Sequence, residues 1–127
     1  MTYEAFVETA ERLWDEIPAE YKQGLHGLHV LEHLKPDPDE PELLRLGEYY
    51  DPGYPSVLGG FEGIGRHIAL FYGSFAALAA EDPDFDWEGE IWETLLHELR
   101  HHLESLAWRD DLVQEDIENL RRYREGR

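Results

Sequence analysis

Leu95-Leu96-His97-Glu98-Leu99-Arg100-His101-His102-Leu103-Glu104-Ser105-Leu106-Ala107 decides how this chain is read. At about 100° per residue, Trp92, Leu95, Leu96, Leu99, Leu103 and Leu106 fall within roughly 60° of Leu99, so the spacing predicts one apolar stripe on a helix from about Asp86 to Trp108. The same rotation puts His97 and His101 about 160° and 200° from that stripe, pointing away from the core. Residues four apart nearly eclipse, so two imidazole nitrogens can converge on one divalent ion at about 2.0–2.1 Å. His97-Glu98-Leu99-Arg100-His101 is thus an H-E-x-x-H pattern in mid-helix, with Glu98 on the flank where it can reach a water held by the ion. His102 points toward the edge of the stripe and reads as a packed or orienting histidine.

Outward from this helix, the N-terminal side is less regular. Phe6, Ala10, Leu13 and Ile17 recur at helical spacing, with Thr2 placed to cap the start and Pro18 to stop the pattern. From Gly24 to Leu34 alternation favours a strand. Lys35-Pro-Asp-Pro-Asp-Glu-Pro41 is a loop by its prolines, with a short helical turn expected at Glu42 to Arg45 and a brief strand at Leu46 to Tyr50. Val57 to Glu62 and His67 to Tyr72 read as a hairpin around Gly63-Ile64-Gly65. Ser74 to Ala80 reads as helix, and a final helix from Leu112 to Tyr123 buries Val113, Ile117 and Leu120.

The chain has 127 residues, 42% of them hydrophobic, the size of one domain, here residues 1–127. A formal net charge of -18 disfavours phosphate backbones and anionic membranes, so neither nucleic acid nor lipid is an expected partner. With no cysteine, a metal must be held by imidazole and carboxylate. The N-terminus has no basic start followed by an apolar run, and Ile68 to Ala80 is too short to span a bilayer, so a cytoplasmic location is expected.

A third metal ligand is open. Asp111 and Asp110 follow closely, but on a continuous helix Asp111 would lie about 15 Å along the axis from His101, so its coordination requires a break near Ala107. Asp111 also suits an N-cap, with Gln114 in the capping-box position. Glu104 needs no break, and Glu115 or Glu118 could approach if the last helix folds back. His26, His29 and His33 do not read as a second metal site, since on a strand His26 faces away from the other two.

The run Leu95 to Ala107, with Leu58-Gly-Gly-Phe-Glu-Gly63 and Ile68-Ala-Leu-Phe-Tyr72 before it, resembles the small bacterial zincin-like metallopeptidases. The resemblance covers roughly residues 57–112 well and the N-terminal half loosely, and the doubled histidine His101-His102 is its most distinctive mark. It implies an α+β fold: an N-terminal helix, a small mixed sheet, the active-site helix and a C-terminal helix. It further implies one zinc ion on His97 and His101 with Glu98 as catalytic base; for the third ligand, which the resemblance does not fix, Asp111 is taken ahead of Glu104, Asp110 and Glu115. A peptide or protein substrate would add as a strand beside His67 to Tyr72, with Tyr72 or Arg100 assisting the oxyanion. Glu104 and Ala107 stand where many such proteins have the Gly and Asp of H-E-x-x-H-x-x-G-x-x-D. Met1 is the only methionine, so a Met-turn is absent. The leading expectation is a zinc-dependent metallopeptidase; the alternative is a non-catalytic interaction or metal-binding protein on the same scaffold. A homodimer or partner protein could complete the cleft.

Overall fold

Thr2 opens the first helix as the spacing predicts: its hydroxyl accepts from the Ala5 N–H at 3.1 Å, satisfying one of the donors that a helix start leaves free. Helix α1 (Tyr3–Glu16) ends where Ile17 turns extended ahead of Pro18, and it buries Phe6, Ala10 and Leu13. The structure, a computed structural model, describes residues 1–51, 65–106 and 110–125, with side chains in the last span from 115 onward. A 3₁₀ turn, Ala19–Lys22, follows α1. Then come β1 (Leu28–Leu31), β2 (Gly47–Tyr50), β3 (His67–Phe71), α2 (Tyr72–Glu81), α3 (Trp87–Leu106) and α4 (Asp110–Glu125). This is an α+β architecture.

The sheet is mixed, in the order β1-β3-β2. β1 runs parallel to β3, with Val30 opposite Leu70; β2 runs antiparallel to it, with Tyr49 opposite Ile68. Ile68 and Leu70 join the core built by Phe6, Leu13, Phe75, Leu95, Leu96 and Leu99. His67, Ala69 and Phe71, which alternate with them, are fully buried as well. Their face carries the rings of His29 and Tyr50, each 4.7 Å from His67. A strand buried on both faces shows no alternation of polarity, so its sequence carries little information about its neighbours.

Several expectations shift. The strand expected over Gly24 to Leu34 contracts to Leu28–Leu31. The stretch expected to form a helical turn at 42–45 instead makes a turn and an isolated bridge between Pro36 and Leu44. Helix α2 starts at Tyr72, two residues early, and shortens the strand before it. The hairpin arm Val57 to Glu62 lies outside the described residues. β3 is the central strand, flanked on both sides, so strand addition beside it is not available; among the described residues the open edge next to α3 belongs to β2. Leu106 closes α3 and is 44% exposed, so the buried stripe ends short of it.

Helix α4 folds back along α3. Arg121 meets Glu93 at 3.0 Å, and Arg124 meets Glu88 at 2.5 Å and Glu16 of α1 at 3.0 Å, a pattern that fixes an antiparallel course. Ile117 and Leu120 enter the core from α4. None of the described helices is long and apolar enough to cross a membrane.

Candidate metal centre

Helix α3 turns its Trp92, Leu95, Leu96 and Leu99 face inward, leaving His97 and His101 exposed on the opposite side. Their Nε2 atoms are 3.3 Å apart with the rings perpendicular. Two nitrogens about 2.0–2.1 Å from one tetrahedrally coordinated ion are separated by about 3.3–3.4 Å, so the pair fits a single zinc-sized ion. Partial desolvation by its neighbours on the helix surface lowers the pKa of His97, as do the His101 ring and Arg100, which favours the neutral imidazole that a metal requires.

Glu98 is only 6% exposed. Burial, and secondarily the carboxylate of Glu48, push its pKa up to about 7. Among the described residues, His97, Glu98 and His101 form the one group of metal-compatible side chains, with ligand atoms all within 4.8 Å of one another. That spacing leaves the carboxylate close enough to act on a small molecule held between the histidines.

The remaining candidates are placed as follows. Glu104 accepts from Arg100 Nε at 2.7 Å and lies 4.0 Å from His101 Nδ1, the ring nitrogen turned away from His97. It therefore stands behind His101 rather than beside the converging Nε2 atoms. The described part of α3 ends at Leu106, and residues 107–109, where a break would fall, lie outside the described residues. Asp111 lies in the first turn of α4, one residue past its start, and the side chains of Asp110 and Asp111 fall outside the described residues. Glu118 pairs with Arg121 at 2.7 Å, and Glu115 is exposed and outside the His97 group. Tyr72 is turned to the other side of the molecule. Its hydroxyl donates to the Met1 carbonyl at 2.6 Å and its ring packs on Phe6 and Trp87, because it opens α2 instead of ending a strand. Arg100 is occupied by Glu104.

Two features of β2 went unread in the sequence. Glu48 is 8% exposed and binds Lys35 and Arg45 at 3.0 Å each, along with the Tyr50 hydroxyl. Burial raises its pKa, but the hydrogen bonds from Tyr50, Lys35 and Arg45 outweigh burial and leave it low, so Glu48 stays ionised. The Tyr49 hydroxyl lies 3.0 Å from His102 Nδ1. His102 is fully buried, and burial lowers its pKa. The available signal was Gly47, two residues before Tyr49-Tyr50, since a glycine in a strand marks a close approach.

A buried glutamate between two exposed histidines one helical turn apart, on a helix laid against a small mixed sheet, defines the zincin-like arrangement. The chain belongs to the zincin-like metallopeptidase family, whose sequence profile matches residues 25–122. It is similar to a conserved hypothetical protein from Thermo thermophilus, with 64% sequence identity, a TM-score of 0.73, and coverage of 85% of this chain and 99% of that one. No curated protein matches it.

Proposed function

We propose that this protein is a zinc-dependent peptidase in which His97 and His101 hold the ion through Nε2, with Asp111 as third ligand and Glu98 as catalytic base. The observation that carries this reading is the 3.3 Å approach of the two Nε2 atoms beside the buried Glu98 carboxylate. When bound, the ion supplies Lewis-acid polarisation of a carbonyl and lowers the pKa of water.

The chain's own groups do the rest. Glu98 accepts the proton of the attacking water at its carboxylate and later passes it to the departing amine nitrogen. In the metal-free chain burial holds the Glu98 pKa up to about 7, and a bound dication would draw it down toward the ionised form that accepts the water's proton. His97, kept neutral, offers a lone pair without first losing a proton. Among the described strands β2 is the edge that lies against α3, and its backbone is where an extended peptide would add. The acidic exterior favours basic peptides, and a cytoplasmic setting suits a cysteine-free chain.

The test is elemental analysis of protein purified without chelator, followed by hydrolysis of fluorescein-labelled casein by wild type and Glu98→Gln. One zinc per chain with Glu98-dependent hydrolysis supports the reading. Zinc without hydrolysis leaves a metal-binding or interaction protein on a zincin scaffold.

A further inference from the structure

His102, the second of the doubled histidines, has no part in the chemistry above, yet it joins three elements. Its Nε2 stands 2.6 Å from the Gln23 carbonyl, to which it can only donate. In the neutral ring Nδ1 is then the acceptor, and the Tyr49 hydroxyl 3.0 Å away donates to it. Ser105 Oγ lies 3.2 Å from the Tyr49 oxygen and donates to the His102 carbonyl at 2.7 Å.

Thr94, Glu98 and His102 follow one another at four-residue steps, so they share one stripe of α3. At the start of that stripe the approach to β2 is so close that a Cβ on Gly47 would come within 2.9 Å of Thr94 Cγ2. One turn past Glu98, Tyr49 is tied to His102. Glu98 thus lies between two points at which edge strand β2 is fixed to the helix.

We infer that His102 is a positioning residue: through Tyr49 it latches β2, an edge of the described sheet, to the metal helix and so fixes, beside Glu98, the strand to which an extended peptide adds. The peptide's place rests on the peptidase reading; the latch rests on the hydrogen bonds alone.

The experiment compares full-length, zinc-loaded wild type with Tyr49→Phe, His102→Leu and His102→Gln. Each is measured by amide hydrogen exchange, by zinc affinity in competition with a chromophoric chelator, and by kcat/KM on fluorescein-labelled casein. Tyr49→Phe and His102→Leu are expected to speed exchange of the β2 amides by about tenfold while β1, β3 and α1 stay protected, and to lower kcat/KM about as much. Zinc affinity should stay within about threefold of wild type, short of the 10–100-fold cost of losing a residue that supports a ligand. His102→Gln, whose carboxamide can donate to Gln23 and accept from Tyr49, should restore most of both. Unchanged β2 exchange, a uniform rise in all elements, or a loss carried by zinc affinity overturns the latch. Should wild type leave casein intact, the peptidase reading falls, and exchange and zinc affinity alone decide the latch. Tyr49→Phe removes one oxygen and keeps the ring, so it decides the matter if His102→Leu does not fold.

Discussion

His97 and His101 present their Nε2 atoms to each other at 3.3 Å across one turn of α3. Lone pairs facing at that distance repel unless a proton or a cation lies between them. Replacing both histidines by alanine is expected to abolish stoichiometric zinc uptake, and either single change should weaken it by more than the roughly 10–100-fold typical of outer partners. Calorimetric titration with zinc checks this; an unaltered isotherm in the double variant would place the metal elsewhere.

Glu98 gives a pH signature in the metal-free protein. Its pKa is raised to about 7 in the fold, so the unfolded chain gives up this proton first as pH rises. No cost exists below the ordinary glutamate range; it grows from about pH 4.5 and is complete above 7. Glu98→Gln should therefore stabilise metal-free protein at pH 8, by an amount on the order of 3 kcal/mol at most, and make little difference at pH 4. Denaturant melts at the two pH values read the difference, and equal gains at both would contradict the burial argument.

His102 acts in the opposite direction. Burial holds its pKa down, so the unfolded chain takes up this proton first as pH falls through about 6.5, and the fold loses stability from there toward the lowered value. His102→Gln should flatten the decline in melting temperature between about pH 7 and pH 5. A slope identical to wild type would assign the decline to other groups.

Gly47→Ala is expected to cost about 1–3 kcal/mol, because the added methyl meets Thr94 Cγ2 at 2.9 Å and the Ala69 carbonyl oxygen at 3.0 Å, and the backbone cannot yield. A companion Thr94→Ser, which removes the opposing methyl, should recover part of the loss. Urea unfolding of the single and double variants measures both terms, and a neutral Gly47→Ala would show that the approach of β2 to α3 relaxes freely.

Arg124 ties α4 to Glu16 and Glu88 while its guanidinium lies 5.4 Å from the centre of the Trp92 ring. Arg124→Gln should destabilise by about 1 kcal/mol, since these pairs are partly exposed, and the difference should narrow between about 0.01 and 1 M salt. A difference that ignores salt would put the effect in packing on Trp92.

The helices were legible because their signals are local. Thr2 and Pro18 bound α1, and the stripe of α3 separates Leu95, Leu96 and Leu99 from His97 and His101 within a few turns. The sheet was not. His67 to Phe71 is buried on both faces, which looks the same for a central strand and an edge strand, so its flanking by β1 and β2 left no periodic trace. At the site, spacing along one helix brings His97, Glu98 and His101 together. Tyr49, Glu48 and Gly47 arrive from a strand some fifty residues away, through contacts that no local pattern encodes.

β1 and β2 pair with β3 and not with each other. During synthesis, therefore, the β1-β3-β2 pairing of the described strands waits until 67–71 follow, and the Tyr49 contact waits further for His102. Such long-range pairing is slow and leaves strand edges exposed in the meantime. A ribosome paused just before residue 67 would hold a chain with its first helix able to form and the β1-β3-β2 pairing still to come.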